Sequence, residues 1–114
     1  MAKSNKIKNL LSRQVVILDG ATGTELQKKG MPAGVCPEIW CLENPAALRD
    51  IHASYCKAGA RMIYTCTFGA NRFKLNQYSV KKDVYSVNRD LARLARQAGG
   101  EKTLIAGDIG PTGL

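Results

Sequence analysis

Three short apolar segments, separated by two longer stretches with helical spacing, most constrain the fold of this chain. The segments are residues 15–18, 61–65 and 103–107, and each contains β-branched or aromatic residues that favour an extended backbone. The stretches between them are long enough to cross over from one parallel strand to the next. The sequence therefore predicts an α/β fold in the order strand, helix, strand, helix, strand.

Both helices have recognisable boundaries. Asn44 is a good N-cap, Pro45 suits the first helical position, and Gly59 supplies the stop. The second helix is predicted from about residue 83 to residue 98. Apolar residues at helical spacing form one face of each helix; they are Leu48, Ile51, Tyr55 and Ala58 in the first and Val84, Val87, Leu91, Leu94, Ala95 and Ala98 in the second.

The turn after the first segment is the strongest candidate for a functional element. Leu18-Asp19-Gly20-Ala21-Thr22-Gly23-Thr24-Glu25 follows a predicted buried strand, so Asp19 lies at a carboxyl end, where parallel-sheet enzymes place working groups. The glycines permit close approach of another molecule to the backbone. An Asp that only caps its own turn is the structural alternative. Local sequence leaves both interpretations open.

The remaining connections give weaker predictions. Residues 25–30 indicate one helical turn, and residues 31–43, with two prolines, indicate an irregular connection. His52 is expected to pack on its helix rather than bind a ligand. Phe68 and Phe73 are expected in the core.

Composition excludes some classes of protein. The 114 residues include 17 basic and 9 acidic residues, a net charge of +8, but the basic residues are scattered rather than clustered with aromatics. We therefore expect no nucleic-acid partner. No apolar run is long enough to span a membrane, and no membrane partner is expected. Residues 1–14 are interpreted as a polar, basic leader helix and residues 15–114 as the folded part.

The four cysteines do not form a closely spaced metal motif. Cys36, Cys41, Cys56 and Cys66 include no C-x-x-C pair, and His52 is the only histidine. Without a secretory signal, free thiols in the cytoplasm are expected. Cys56 is interpreted as a packing residue, while Cys36 and Cys41 share a loop and could meet.

The predicted sheet has a face without cover. Right-handed crossovers place both helices on one side of the sheet, yet the strand segments are apolar on both sides. We therefore expect the opening part of a closed barrel, with self-association through the uncovered sheet.

Three blocks resemble homocysteine S-methyltransferase domains in order and spacing. They are Leu-Asp-Gly-Ala-Thr-Gly-Thr-Glu at 18–25, Thr-Cys-Thr-Phe-Gly-Ala-Asn at 65–71 and Gly-Asp-Ile-Gly-Pro-Thr-Gly at 107–113. The family includes the N-terminal domain of cobalamin-dependent methionine synthase and betaine–homocysteine methyltransferase. The resemblance implies about three β/α units of a (β/α)8 TIM barrel and the transfer of a methyl group to the homocysteine thiol, forming methionine.

The resemblance also implies a cofactor that this chain is not expected to hold. The family uses zinc bound by three cysteines to deprotonate the substrate thiol, and those cysteines belong to later strands. None of the four cysteines here matches them, so no metal ligand and no catalytic residue is assigned in this chain, which is expected to be inactive alone. Cobalamin or methyltetrahydrofolate would act through other domains, and the methyl donor is left open.

The resemblance implies part of a substrate site. Asp19 matches the acid that receives the substrate amino group, and the backbone at Gly20 and Ala21 allows close approach. Thr65 and Thr67 border the amino-acid moiety. Cys66 replaces an Asn common in methionine synthases. Asp108 belongs to the third block.

Two other functions compete with this interpretation. One is a small α/β module that binds an anion or nucleotide through residues 19–25, although the loop lacks both common phosphate-binding glycine patterns. The other is a self-associating structural fragment.

Overall fold

The computed structural model describes residues 2–114, with side chains from residue 5 onward; Met1 of the predicted leader lies outside the described residues. The described chain contains six helices and two short strands. In chain order they are α1 (Ala2–Arg13), α2 (Gly23–Lys28), α3 (Pro37–Glu43), α4 (Pro45–Lys57), β1 (Met62–Tyr64), α5 (Arg72–Gln77), α6 (Val84–Gly99) and β2 (Leu104–Ala106).

The strands are parallel, as predicted. Strand β1 pairs with β2 in the register Met62↔Leu104, Ile63↔Ile105 and Tyr64↔Ala106. The first segment lies on the other side of β1, where Leu18 bridges Met62 in parallel orientation. The carboxyl ends of all three segments therefore lie at one edge.

The prediction of a buried strand at residues 15–18 is wrong. Leu18 forms only an isolated bridge, and Val15 and Ile17 are 90% and 61% exposed. Three backbone hydrogen bonds join the segment to the start of β1: Ile17 O accepts from Arg61 N at 2.8 Å and from Met62 N at 3.4 Å, and Asp19 N donates to Met62 O at 3.1 Å. With a neighbour on one side only and no layer over its side chains, this segment does not become a regular strand.

The two crossover helices are confirmed, and they cover one face of the strands. Helices α4 and α6 pack against each other and against β1. Ile63 points into this layer and is fully buried, whereas its neighbour Tyr64, on the opposite face, is exposed. The core between the helices is aliphatic; it includes Leu26, Leu48, Ile51, Val87, Leu91 and Leu94. Burial of each large aliphatic side chain contributes about 1.5–3 kcal/mol.

Two helices lie where the sequence predicted none. Residues 37–43 of the predicted irregular connection form α3, with Pro37 in its first turn and Cys41 buried. Helix α5 begins after Asn71, whose Oδ1 accepts a hydrogen bond from Lys74 N at 2.9 Å. The prediction of helical structure near residues 25–30 is confirmed by α2.

Several side-chain predictions have clear outcomes. His52 packs inside the fold and is 2% exposed, as expected for a packing residue. Phe68 and Phe73, predicted in the core, are 56% and 48% exposed, because the loop and helix that carry them have no layer outside them. No helix in the part of the chain that the structure describes is long and apolar enough to cross a bilayer.

Candidate functional site

The site is built on the edge where the parallel segments end. Asp19 follows Leu18, Thr65 follows β1, and Asp108 lies two residues after β2. Parallel pairing brings these positions to the same edge, as the order of elements predicted.

Asp19 has one satisfied and one unsatisfied carboxylate oxygen. Its Oδ2 accepts a hydrogen bond from Tyr64 N at 3.2 Å. Its Oδ1 is buried and has no partner among the described residues. Burial raises the pKa of this carboxyl, the Tyr64 N–H opposes the rise, and the charge of Asp108 adds to it. Asp19 is thus a desolvated carboxylate near a second one, an environment that favours a cation.

The two threonines hold the third block in place. Thr65 Oγ1 and Thr67 Oγ1 are 2.7 Å apart, and Thr67 Oγ1 donates to the Asp108 carbonyl at 2.7 Å. The Asp108 N–H lies 3.3 Å from both hydroxyl oxygens. Both threonines are buried, so these bonds satisfy polar groups that would otherwise be costly. Their visible role is to fix Asp108 beside the end of β1.

Tyr55 packs against the turn at Gly20 and Ala21, a role that the sequence did not indicate. Its Oη donates to the Ala21 carbonyl at 2.6 Å. A Cβ at position 20 would lie 3.1 Å from the same Oη, so Gly20 allows the ring to pack against the turn. Helix α4 thereby holds the Gly20–Ala21 backbone in position.

Glu38 is a second residue that the sequence did not single out. It is buried in α3, where its carboxylate lies 3.4 Å from Gly69 N and 3.5 Å from Cys36 Sγ. A Cβ at position 69 would come within 2.9 Å of Glu38 Oε1, so glycine is needed for this contact. The Pro37-Glu38 pair in a predicted loop was the available signal, but its partner is 31 residues away.

Cys66 is turned toward α3. It has a positive φ of 60°, which is uncommon for a residue with a Cβ. Its Sγ lies 4.0 Å from Cys41 Sγ, and the hydrogen bond with Cys41, followed by burial, raises the pKa of the Cys66 thiol. Cys36 and Cys41, which could have met in a loop, are instead directed to Glu38 and Cys66.

Two cavities bear on the choice of site. A small one of about 60 Å³ lies beside Asp108 and is lined in part by Thr67, Phe68 and Gly110. A larger groove of about 530 Å³ follows α6 and includes Arg89, Arg93 and Arg96. The larger groove contains none of the predicted site residues, so cavity size does not identify the strand edge as the site. The buried Asp19 Oδ1, which has no partner among the described residues, identifies it.

The described residues do not fit a zinc site. Structural or catalytic zinc takes at least three protein ligands. Among residues 2–114, no three His, Cys, Asp or Glu side chains are grouped so that they could hold a metal ion. Among the described residues, no more than two such side chains lie together, so no chemical step is assigned to a metal here.

An α/β chain with small and acidic residues at converging strand ends has the layout of a parallel-sheet enzyme domain. The homocysteine S-methyltransferase family model matches residues 16–114, and the chain belongs to that family. The chain is 30% identical to the homocysteine S-methyltransferase of Escherichia coli K12 over 128 aligned positions, covering 99% of this chain and 41% of that protein.

Other relatives carry related names. The chain is 35% identical to the S-methylmethionine–homocysteine S-methyltransferase of Pongo abelii, covering 99% of this chain and 30% of that protein. It is 31% identical to the methionine synthase of Mycobacterium tuberculosis, covering 90% of this chain and 10% of that protein.

A solved structure has the same fold over most of the chain. The oxidized form of the homocysteine methyltransferase MmuM from Escherichia coli matches with a TM-score of 0.76 at 28% identity, covering 94% of this chain and 41% of that one. This chain thus spans less than half the length of these relatives.

Proposed function

We propose that the strand edge binds the amino-acid moiety of homocysteine, as part of a domain that transfers a methyl group to the homocysteine thiol to form methionine. The observation that carries the proposal is Asp19 Oδ1, which is buried near a second carboxylate and has no partner in the part of the chain that the structure describes. A substrate ammonium satisfies that oxygen and offsets the repulsion between Asp19 and Asp108.

We propose that these residues bind the substrate and do not transfer the methyl group. Asp19 holds the ammonium, the Gly20–Ala21 backbone held by Tyr55 approaches the substrate, and the Thr65–Thr67 pair fixes Asp108. A free thiol has a pKa of about 8.5 and is only a few per cent thiolate at neutral pH. Nothing among the described side chains is arranged to activate it, so the chain alone binds substrate without transferring a methyl group.

The proposed architecture explains this division. We infer that residues 15–114 are the first three β/α units of a (β/α)8 barrel, preceded by a leader at residues 1–14. Two facts support the inference: the parallel order of the three segments, and a match to 41% of a homocysteine methyltransferase chain. The zinc ligands, and any use of cobalamin or methyltetrahydrofolate, would belong to parts of a longer protein.

The names of the relatives bear on the methyl donor, and the state of the cysteines bears on the cellular location. Some relatives are named for S-methylmethionine or betaine and others are methionine synthases, so these names do not single out one methyl donor. The four cysteines are free, which suits the reducing cytoplasm that we propose as the location.

A calorimetric titration with homocysteine tests the binding proposal. Asp19→Asn removes the charge that meets the ammonium, and we expect it to weaken binding about 30-fold, or about 2 kcal/mol. The matched control is Asp50→Asn. It removes the charge of an exposed carboxylate on α4, which pairs with Lys29. We expect the control to bind as the unaltered chain does. Equal affinity of the two variants would contradict the role of Asp19, and absence of binding to the unaltered chain would contradict the site.

The anion-binding alternative has less support. Residues 19–25 end in α2, which is only six residues long, and the family match already accounts for this turn. Saturable binding of a nucleotide at micromolar concentration would favour it over the proposed function.

Self-association has a specific observation in its favour. Leu18 bridges Met62 and therefore points to the same face as Tyr64, opposite the helices, and both side chains are exposed. Val15 and Ile17 are exposed along the rest of the first segment, so this face and the first segment together present an apolar surface. We propose that a second copy of the chain covers this surface, since the outer sides of β2 and of the first segment are also open to strand pairing.

A further inference from the structure

Two thiols from distant parts of the sequence face each other at the end of β1. Cys41 Sγ in α3 and Cys66 Sγ in the following loop are 4.0 Å apart, although 25 positions separate the residues. The other two thiols have different neighbours, since Cys36 lies beside Glu38 and Cys56 beside Thr103. Cys41 and Cys66 are therefore the matched pair among the described cysteines.

The two thiols of this pair differ in solvent exposure. Cys41 is fully buried, whereas Cys66 is partly exposed. A small reagent from solvent reaches Cys66 first, and the buried Cys41 is then the nearest nucleophile. The two sulfurs must approach by about 2 Å to reach the bonding distance of a disulfide. Cys66 is carried by the loop that connects β1 to α5, whereas Cys41 is carried by α3.

We propose that Cys41 and Cys66 form a site of reversible oxidation, closing to an intramolecular disulfide in the presence of a peroxide. The Cys66 sulfur attacks one peroxide oxygen, which gives Cys66 sulfenic acid and releases one water. The Cys41 sulfur then attacks the Cys66 sulfur, forming the S–S bond and releasing a second water. Two thiols lose two electrons and two protons in all, and hydrogen peroxide is reduced to two waters.

The surroundings make this reaction slow at neutral pH. The pKa of the Cys66 thiol is raised by the hydrogen bond with Cys41 and by burial, and the negative charges of Glu38 and Asp108 add to the rise. The reactive thiolate is therefore scarce. The bond would tie α3 to the segment between Thr65 and Thr67, which holds Asp108. Formation of the bond does not depend on the proposed substrate.

The test uses a double variant that retains only the proposed pair. In Cys36→Ser/Cys56→Ser, hydrogen peroxide should lower the intact mass by about 2 Da, because two thiol hydrogens are lost. Peptide mapping without reductant should join the peptide that contains Cys41 to the one that contains Cys66. Dithiothreitol should restore both thiols.

The unaltered chain and a third variant complete the test. The unaltered chain should form the same link, and Cys41→Ser should form no intramolecular link to Cys66. The proposal is overturned if all thiols stay alkylatable after peroxide treatment, or if Cys66 pairs with Cys36 or Cys56. It is equally overturned if the link forms as readily in urea as in the folded chain, since the fold would then not be its cause.

Discussion

Asp19 and His52 are the residues whose side chains hold buried polar atoms without a partner in the described part of the chain. They lie in different settings. Asp19 is at the end of a strand segment beside another carboxylate, whereas His52 is on α4 within the helix layer. An unpartnered oxygen at an accessible edge suits a ligand, whereas an unpartnered imidazole in the interior is a cost to stability.

His52 makes stability depend on pH. Burial lowers its pKa from 6.5 to about 4, so the folded state resists protonation that the unfolded state accepts. Stability is therefore full above pH 6.5 and falls as the pH drops toward 4, by about 3 kcal/mol in all. Urea unfolding at a series of pH values measures this loss.

The control for this prediction is His52→Leu, which replaces the imidazole with an apolar side chain of similar size and so removes the titrating group. The difference in unfolding free energy between the two chains should change across this pH range and stay constant above it. Parallel curves from pH 7 to pH 4 would show that His52 does not titrate as the structure requires.

Single residues differ in how far the sequence exposes their role. Asp19 could be placed because an apolar segment and two glycines surround it locally. Tyr55, Glu38 and the Cys41–Cys66 pair could not, because each acts through a contact between elements that are remote in sequence. A single sequence contains no signal for such contacts beyond residue type.

At the level of elements, local signals decided what could be predicted. Helices α4 and α6 have 13 and 16 residues, enough for an apolar stripe to be recognised, and a residue type typical of N-caps precedes each. Helices α3 and α5 have seven and six residues, too few for a clear period. The second and third strands were predicted in the right places, but they are three residues long because only one face of each is covered.

Two asparagines before helices give a matched prediction. Asn71 Oδ1 accepts from Lys74 N at the start of α5, whereas Asn44 makes no capping bond to α4 and its Nδ2 donates to Trp40 O instead. Asn71→Ala should lower the free energy of unfolding by about 1 kcal/mol. Asn44→Ala should cost less, since no helix N–H loses its partner. Urea unfolding compares them, and a larger loss for Asn44→Ala would contradict the capping geometry.

At the level of the whole molecule, the uncovered face is the surface through which we expect association. If a second copy covers it, sedimentation should detect association that rises with concentration. Ile17→Glu places a charge on the exposed first segment, whose outer side is open to strand pairing, and should shift the chain toward monomer. Ala53→Glu, at an exposed position on α4, is the control and should leave association unchanged. A compact monomer at all concentrations would contradict the proposal.

We propose that the ends of the three parallel segments form one binding edge for an amino acid that carries a thiol. The sharpest test is a titration of the isotopically labelled chain with homocysteine, followed through its backbone amide signals. We predict that the amides of Asp19, Tyr64 and Asp108 shift together and saturate at one common ligand concentration. Shifts confined to the arginine groove along α6, or no saturable shift at any of the three, would contradict it.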